Sequence, residues 1–143
     1  MKFSYTFPTL LFLVSLTSCS TQNNSISARQ YSKNYESAFV EGFKTLSFCK
    51  CLDYGNSGKL NLSAEDASCR YPDYLYGEAN IIDSLALAES RRIALDAAGR
   101  GKGQVAEGME GKRIIGQCLE FYSGKELEAF AKSRYEADRK VRK

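Results

Sequence analysis

Apolar residues recur at helical spacing along most of the chain. The longest such stretch runs from Lys33 to Tyr54. At about 100° per residue, one broad stripe of this helix holds Phe39, Val40, Phe43, Leu46, Cys51 and Tyr54. Cys49 points away from the stripe, because residues two apart on a helix diverge by about 200°. Gly55 and Gly58 then predict the end of the helix.

Two more helices are predicted in the middle of the chain. Ser63 and Asp66 have the spacing of a capping box, ahead of a short helix that carries Cys69 and ends by Pro72. A second long pattern runs from about Gly77 to Ala97. Its apolar side consists of Ile81, Ile82, Leu85, Ala86, Ala88 and Ile93.

The last third of the chain predicts two further helices. The first runs from Lys112 to Tyr122 with Cys118 near the centre of its apolar face. That face also holds Ile114, Ile115, Phe121 and Tyr122. Ser123 and Glu126 repeat the capping-box spacing and predict the start of the last helix. Its inward residues are Leu127, Phe130 and Ala131, and the charged run from Lys132 to Lys143 is expected to fray into solvent.

No run of β-branched residues with a period of two indicates a strand. The pattern therefore predicts an all-α fold, a small disulfide-stapled bundle of four to five helices with a Gly-rich loop before the penultimate helix. The segment from Gly99 to Gly111 contains five glycines, counting both ends, and a continuous helix would lose about 1 kcal/mol at each. This segment is either a flexible connector or a partner-recognition loop. Its candidate binding residues are Gly101, Lys102, Gly103 and Gln104.

The start of the chain has the pattern of an export signal. The apolar run from Phe7 to Leu16 is far shorter than the roughly 20 residues that span a bilayer. Leu16 to Cys19 resembles a bacterial lipoprotein box, which predicts a lipid on Cys19; the alternative is an ordinary signal peptide cut nearby. We therefore predict a signal peptide at 1–18, a polar tether at 19–32 and a single domain at 33–143. The predicted location is the periplasm, with a lipid anchor in the bacterial envelope.

Cysteine usage agrees with export. The chain has five cysteines, and subtracting Cys19 leaves four, which an oxidising compartment would pair into two disulfides. Cys51 and Cys118 both lie on core stripes, whereas Cys49 and Cys69 do not. We therefore favour Cys51 with Cys118 and Cys49 with Cys69. The rival pairing joins Cys49 to Cys118 and Cys51 to Cys69.

The available side chains favour binding over catalysis. The chain has no histidine, which excludes the common serine and cysteine triads. Zinc at the four cysteines is disfavoured because the spacing lacks paired Cys-x2-Cys knuckles. No carboxylate pair is marked, and the net charge of +3 gives no basis for nucleic-acid binding. We expect a binding protein without cofactor or metal; an unrecognised hydrolase or a small-molecule binder is the alternative.

The segment from Cys118 to Lys132 resembles the C-terminal motif of immunity proteins that neutralise type VI secretion amidase effectors. In that family a Cys-Leu-x-x-Tyr helix turns through a serine-containing link into a Glu-Leu helix. The matching residues here are Cys118, Leu119, Tyr122, Ser123, Glu126 and Leu127. The end of the first helix, with Cys51, Leu52 and Tyr54, is similar to the end of that family's first helix. The chain differs from the family in its lipoprotein box, its extra cysteine pair and a missing residue between Tyr122 and Ser123.

The resemblance implies an all-helical periplasmic homodimer that inserts a loop into the active-site groove of a peptidoglycan-cleaving amidase. Such a protein protects its producer from the toxin, touches the membrane only through its lipid and binds no nucleic acid. Candidate anchors for the partner are Tyr71, Tyr74 and Tyr76, which are otherwise ordinary half-buried tyrosines. The alternative function is a structural or adaptor envelope lipoprotein with no toxin partner.

Overall fold

The structure, a computed structural model, describes residues 28–99 and 111–142, which contain five α-helices and two short 3-10 helices. The elements are α1 (Ala28–Gly55), α2 (Leu62–Glu65), the 3-10 helices Ala67–Cys69 and Asp73–Glu78, α3 (Ala79–Gly99), α4 (Ile114–Ser123) and α5 (Lys125–Val141). These residues include no strand, so the all-α prediction is confirmed. The predicted signal peptide, Cys19 and residues 101–104 lie outside the described residues.

Helix α1 is the centre of the domain, and α3, α4 and α5 all pack against it. Its predicted stripe is confirmed, since all of its members are buried except Tyr54, which is half-buried. The main core cluster consists of Phe39, Val40, Phe43, Leu46, Leu75, Ile82, Leu127, Ala131 and Tyr135. Helix α1 begins at Ala28, inside the stretch that the sequence predicted as tether. Among the described residues, no helix has the length and apolar character needed to cross a membrane.

Helix α3 follows its predicted pattern in part. Ile82, Ala86 and Ile93 are buried in the interface with α1 and α4, as predicted. Ala88 is exposed, so its placement on the apolar side was wrong. The helix also begins two residues later than predicted, because residues 73–78 form a 3-10 helix instead. The buried face of α3 is therefore narrower than the sequence indicated.

Two disulfides connect α1 to the rest of the domain. Cys51 bonds to Cys118 of α4 with a Cα–Cα distance of 5.8 Å. Cys49 bonds to Cys69 of the first 3-10 helix with a Cα–Cα distance of 5.7 Å. This is the pairing that the sequence favoured. Because the two α1 cysteines point to different sides of one helix, each reaches a different neighbouring segment.

The close approach of α1 and α4 depends on Gly55. A Cβ atom at this position would lie 2.6 Å from Cγ2 of Ile114, closer than real Cβ contacts. Helix α1 ends at this residue as predicted. Gly58, with φ of 73°, then turns the chain through the left-handed region and donates its N–H to the carbonyl of Asp53 at 2.8 Å.

Substituting Gly55→Ala is expected to lower the free energy of unfolding by about 1–3 kcal/mol, because the added methyl group overpacks the contact with Ile114. Urea denaturation followed by circular dichroism measures the loss. Gly77→Ala is the matched control, since a Cβ there meets no atom within 4 Å. Equal losses in the free energy of unfolding for Gly55→Ala and Gly77→Ala would show that overpacking against Ile114 is not the cause of the loss.

The first predicted capping box is wrong. Ser63 lies inside α2, whose N-cap is Asn61 in the left-handed conformation. Asp66 instead caps the following 3-10 helix, where its Oδ1 accepts the N–H of Ser68 at 2.8 Å. The carboxylate is satisfied by the turn that follows it, so it does not reach back to Ser63.

The second predicted capping box is also wrong. Ser123 is the last residue of α4, and its hydroxyl donates to the carbonyl of Leu119 at 2.9 Å. Gly124, in an extended conformation, is the N-cap of α5. A serine hydroxyl at a helix end can bond to its own preceding turn, and this bond replaces the cap that the sequence predicted.

The charged end of the chain is part of α5, which continues to Val141, so the prediction of fraying from Lys132 was wrong. Leu127, Ala131 and Tyr135 form a buried stripe at intervals of four residues. The Tyr135 ring packs 5.7 Å from that of Phe39. Phe130, predicted to face inward, lies at the edge of the core and is partly exposed. A single narrow apolar stripe is thus enough to dock the helix on α1.

Candidate binding surface

The three tyrosines predicted as partner anchors lie in different environments. Tyr71 is half-buried and donates its hydroxyl to Oδ1 of Asp83 at 3.3 Å. Tyr74 is half-buried and donates to the carbonyl of Ala38 at 3.4 Å. Tyr76 is 63% exposed and stacks on Tyr71 with ring centroids 6.4 Å apart. Tyr71 and Tyr74 therefore have contacts within the scaffold, and a role of any of the three tyrosines in binding stays a prediction.

Tyr71 belongs to a polar network between α1 and α3. Burial, and then the nearby Asp83 carboxylate, raise the pKa of Tyr71 well above its ordinary value. The pKa of Tyr54 is raised by the same two causes. Lys50 offsets the charge of Asp83, since its Nζ lies 3.5 Å from Oδ1. The network therefore keeps both phenols protonated and holds α3 against α1.

This network predicts a loss of stability in alkali. The folded protein holds the Tyr71 proton more tightly than the unfolded chain, whose pKa is about 10. The stabilisation is complete below that pKa and is lost as pH rises toward the folded value, by less than about 1.4 kcal/mol per pH unit for this partly exposed group. Denaturant unfolding between pH 9 and 11 should show a shallower decline for Tyr71→Phe than for the wild type. The same decline of the free energy of unfolding in the wild type and in Tyr71→Phe would show that Tyr71 does not cause the loss in alkali. Tyr76→Phe is the control, because it removes an exposed tyrosine hydroxyl.

A first groove lies beside the Cys49–Cys69 disulfide, between α1 and α4. It has a volume of about 300 Å³ and a mostly apolar lining. Its wall is formed by Thr45, Phe48, Cys49, Leu52, Leu62, Asp66, Ser68, Cys69, Leu119 and Tyr122. The disulfide fixes the segment 62–69 as one side of the groove, so its shape depends on that covalent bond.

A second groove, which we call the basic groove, lies where the end of α1 meets the start of α4. Its volume is about 480 Å³. It is lined by Leu52, Asn56, Leu60, Lys112, Arg113, Ile114, Ile115 and Gly116. Leu52 lines both grooves, so the two form one continuous face of the domain. We call this the Leu52 face.

Two large apolar side chains of α4 project from the Leu52 face. Ile115 is 67% exposed and Leu119 is 49% exposed, one helical turn apart on the same side of the helix. The sequence placed Ile115 on the core side, which is wrong because the buried side of α4, with Gln117 and Cys118, does not include it. Leu60 adds a third exposed apolar group beside them. Contiguous exposed apolar surface of this kind is typical of an interaction site.

Tyr122 forms a rigid wall of the first groove. Its ring packs edge-on against Phe48 with centroids 5.9 Å apart, and Lys44 Nζ lies 4.8 Å from its centroid. Its hydroxyl is 3.2 Å from Oε2 of Glu41 and donates to it. These contacts hold the ring in one orientation, so the groove does not need to be organised by a ligand.

The residues that line the Leu52 face were mostly missed as site residues by the sequence. Leu119 and Leu52 entered only through the family resemblance, and Lys112 and Arg113 were counted as ordinary helix residues. The sequence did contain one signal for this surface. Ile115 and Leu119 are two apolar residues one helical turn apart, and they do not lie on the side of α4 that holds Cys118. Of the residues described, no group of three or more cysteine or acidic side chains is arranged to hold a metal ion.

Comparisons of the chain with protein-family models, with curated proteins and with solved structures found no match. The class of protein is therefore defined by the molecule itself. It is an all-α domain in which two disulfides hold a central helix to its neighbours, with a grooved and partly apolar face at one end.

Proposed function

We propose that this protein is a periplasmic immunity protein that binds a peptidoglycan-degrading type VI secretion amidase and inhibits it by covering its active-site groove. The proposal includes a lipid anchor on Cys19, which the lipoprotein box predicts, and a homodimer, which the family resemblance implies. Two disulfides in one small domain support an oxidising compartment.

One observation carries the proposal. The two segments that resemble the immunity family, the end of α1 and the start of the Cys118 motif, are joined to each other by the Cys51–Cys118 bond. Three of the other motif residues, Leu52, Leu119 and Tyr122, lie together in the lining of one groove. Motif residues that are far apart in sequence thus form a single surface, which is what a shared binding function would require.

The physical mechanism is steric occlusion. A protein interface draws most of its affinity from a few apolar or aromatic anchors surrounded by a polar rim. Leu119 and Ile115 are exposed apolar groups of the necessary kind, and Tyr122 is held rigidly beside them. Binding such a surface to the rim of an amidase groove would exclude peptidoglycan without any chemistry by this protein.

The test is inhibition of peptidoglycan cleavage. Purified type VI amidase effectors, including any encoded beside this gene, are incubated with isolated sacculi, and the soluble fragments are quantified. We expect one effector to be inhibited by an equimolar amount of this protein. Leu119→Asp should weaken inhibition by about 30-fold or more, which corresponds to the roughly 2 kcal/mol lost at an interface anchor. The matched control is Leu95→Asp, since Leu95 is 73% exposed on α3 and lines neither groove.

Two results would oppose the proposal. One is the absence of inhibition for every effector at a large excess of this protein. The other is retention of the protein on sacculi without any amidase, which would favour the alternative of a structural or adaptor envelope lipoprotein.

A further inference from the structure

The basic groove has an unusual combination of lining groups. Its floor is apolar, formed by Leu52, Ile114 and the exposed side chains of Leu60 and Ile115. Its rim carries two exposed cations, Lys112 and Arg113, and no aspartate or glutamate is among its described lining residues. A ligand that fills this groove must therefore cover its apolar surface and also compensate its positive charge.

In the part of the chain that the structure describes, the two cations make no ion pair with the scaffold. Neither Lys112 nor Arg113 forms an ion pair with another described residue, in contrast to Arg134, Arg139 and Arg142 of α5. The Arg113 guanidinium extends over Gly116, with Nη2 3.9 Å from where a Cβ of that residue would stand. The absence of a side chain at Gly116 leaves the charged group beside the groove floor.

The one acidic residue of α4 lies near α3 and not at this rim. Glu120 lies on α4 but acts on Arg92 of α3, whose pKa it helps to raise as a minor contribution after Glu89. Asp53, near the end of α1, accepts the N–H of Asn61 and so faces the α1–α2 loop. Within residues 28–99 and 111–142, no carboxylate therefore pairs with the two cations of the groove rim.

We propose that the basic groove binds an acidic segment of the partner protein, one in which an apolar anchor is flanked by carboxylates. The apolar side chain would cover Leu60 and Ile115, and the carboxylates would pair with Lys112 and Arg113. This charge complementarity identifies the occupant, since a basic or purely apolar segment would leave the two cations facing it without compensation. The inference rests on the proposed function for the identity of the partner, which is the amidase, but not for the chemistry of the segment.

The experiment compares two double variants with the same change of net charge. Lys112→Glu with Arg113→Glu reverses the rim, and Lys125→Glu with Lys140→Glu reverses two exposed cations of α5 that line neither groove. Binding of the inhibited amidase is measured by titration calorimetry at low and high salt. In parallel, a fluorescein-labelled peptide of alternating glutamate and leucine is titrated by anisotropy, with a lysine and leucine peptide as its control. Circular dichroism melting confirms that both variants are folded.

We expect the rim variant to bind the amidase about tenfold or more weakly and to lose most of the salt dependence, while the α5 variant stays within about twofold of the wild type. Equal binding by the wild type and the rim variant overturns the inference but leaves the proposed function standing. If no amidase binds, preferential binding of the acidic peptide to the wild type supports the inference alone, and its absence overturns both. A dimer that dissociates in the rim variant, with the amidase complex unchanged, assigns the groove to a second copy and overturns the inference.

Discussion

Replacing Cys51 and Cys118 together by alanine is expected to lower the free energy of unfolding by about 4 kcal/mol, according to the chain-entropy estimate for a crosslink between residues 67 apart. Both cysteines are fully buried, so the variant also loses packing where α1, α3 and α4 meet. A domain of this size has a total stability of only about 5–15 kcal/mol, so the variant is expected to approach the folding threshold at 37 °C. Guanidinium denaturation of the oxidised proteins measures the difference.

The second disulfide supplies the control for this prediction. Cys49 and Cys69 are 20 residues apart, and their replacement by alanine is expected to cost about 3 kcal/mol by the same estimate. Because this bond fixes the segment beside the first groove, its loss should also weaken partner binding. The loss of binding free energy should exceed the loss in the free energy of unfolding. If loss of the Cys49–Cys69 bond lowers the free energy of unfolding more than loss of the Cys51–Cys118 bond, the number of residues between the cysteines does not decide which disulfide stabilises the protein more.

Arg134→Met is expected to destabilise the protein by about 2–3 kcal/mol, because it leaves a buried carboxylate without its partner. Glu78 is 7% exposed and lies at the end of the second 3-10 helix. Arg134 of α5 donates two hydrogen bonds to it, from Nε at 2.7 Å and from Nη2 at 3.0 Å. The arginine side chain is one-third exposed, so solvent reduces the cost below that of a fully buried pair. Urea denaturation at neutral pH measures the loss.

The comparison that isolates this effect uses two more variants. Replacing both partners, Glu78→Leu with Arg134→Met, removes the buried charge and should recover part of the lost stability. Lys132→Met, on the same helix, breaks an exposed pair with Glu128 and should have no measurable effect. A loss for Arg134→Met no larger than that for Lys132→Met would show that the Glu78 pair does not support the docking of α5.

Helix α1 and both disulfides could be predicted because a long regular stripe fixes the direction of every side chain along it. Once Phe39, Phe43 and Leu46 define the buried side, the directions of Cys49 and Cys51 follow from helical geometry alone. The cysteine on the α4 stripe is then the natural partner for the one on the α1 stripe. Periodicity was sufficient for α1 because this helix is long and its apolar stripe is broad.

The end of α5 could not be predicted in the same way because its apolar stripe is one residue wide. Between Ala131 and Tyr135, and again beyond Tyr135, charged residues dominate, and composition alone indicates solvated chain. The spacing of Leu127, Ala131 and Tyr135 was the available signal. The ion pair of Arg134 with Glu78, which joins residues 56 apart, had no local signal at all.

The candidate surface was harder to predict than the core, for a related reason. On the short helix α4, four apolar positions fit a broad stripe, and the sequence cannot tell which of them face α1. The position of Cys118 against Cys51 and the packing of Ile114 on Gly55 together fix the rotation of α4 and leave Ile115 and Leu119 exposed. The basic groove also requires α1 and α4 to meet at Gly55, which is a tertiary contact.

The arrangement of α1, α4 and the segment 62–69 by two specific disulfides underlies the fold, the Leu52 face and both proposals. Peptide mapping by mass spectrometry of the native, unreduced protein after alkylation of free thiols tests it most directly. The structure predicts one crosslinked peptide pair containing Cys51 and Cys118, a second containing Cys49 and Cys69, and no alkylation at these four residues. Crosslinks between Cys49 and Cys118, or alkylated cysteines in the folded molecule, would contradict it.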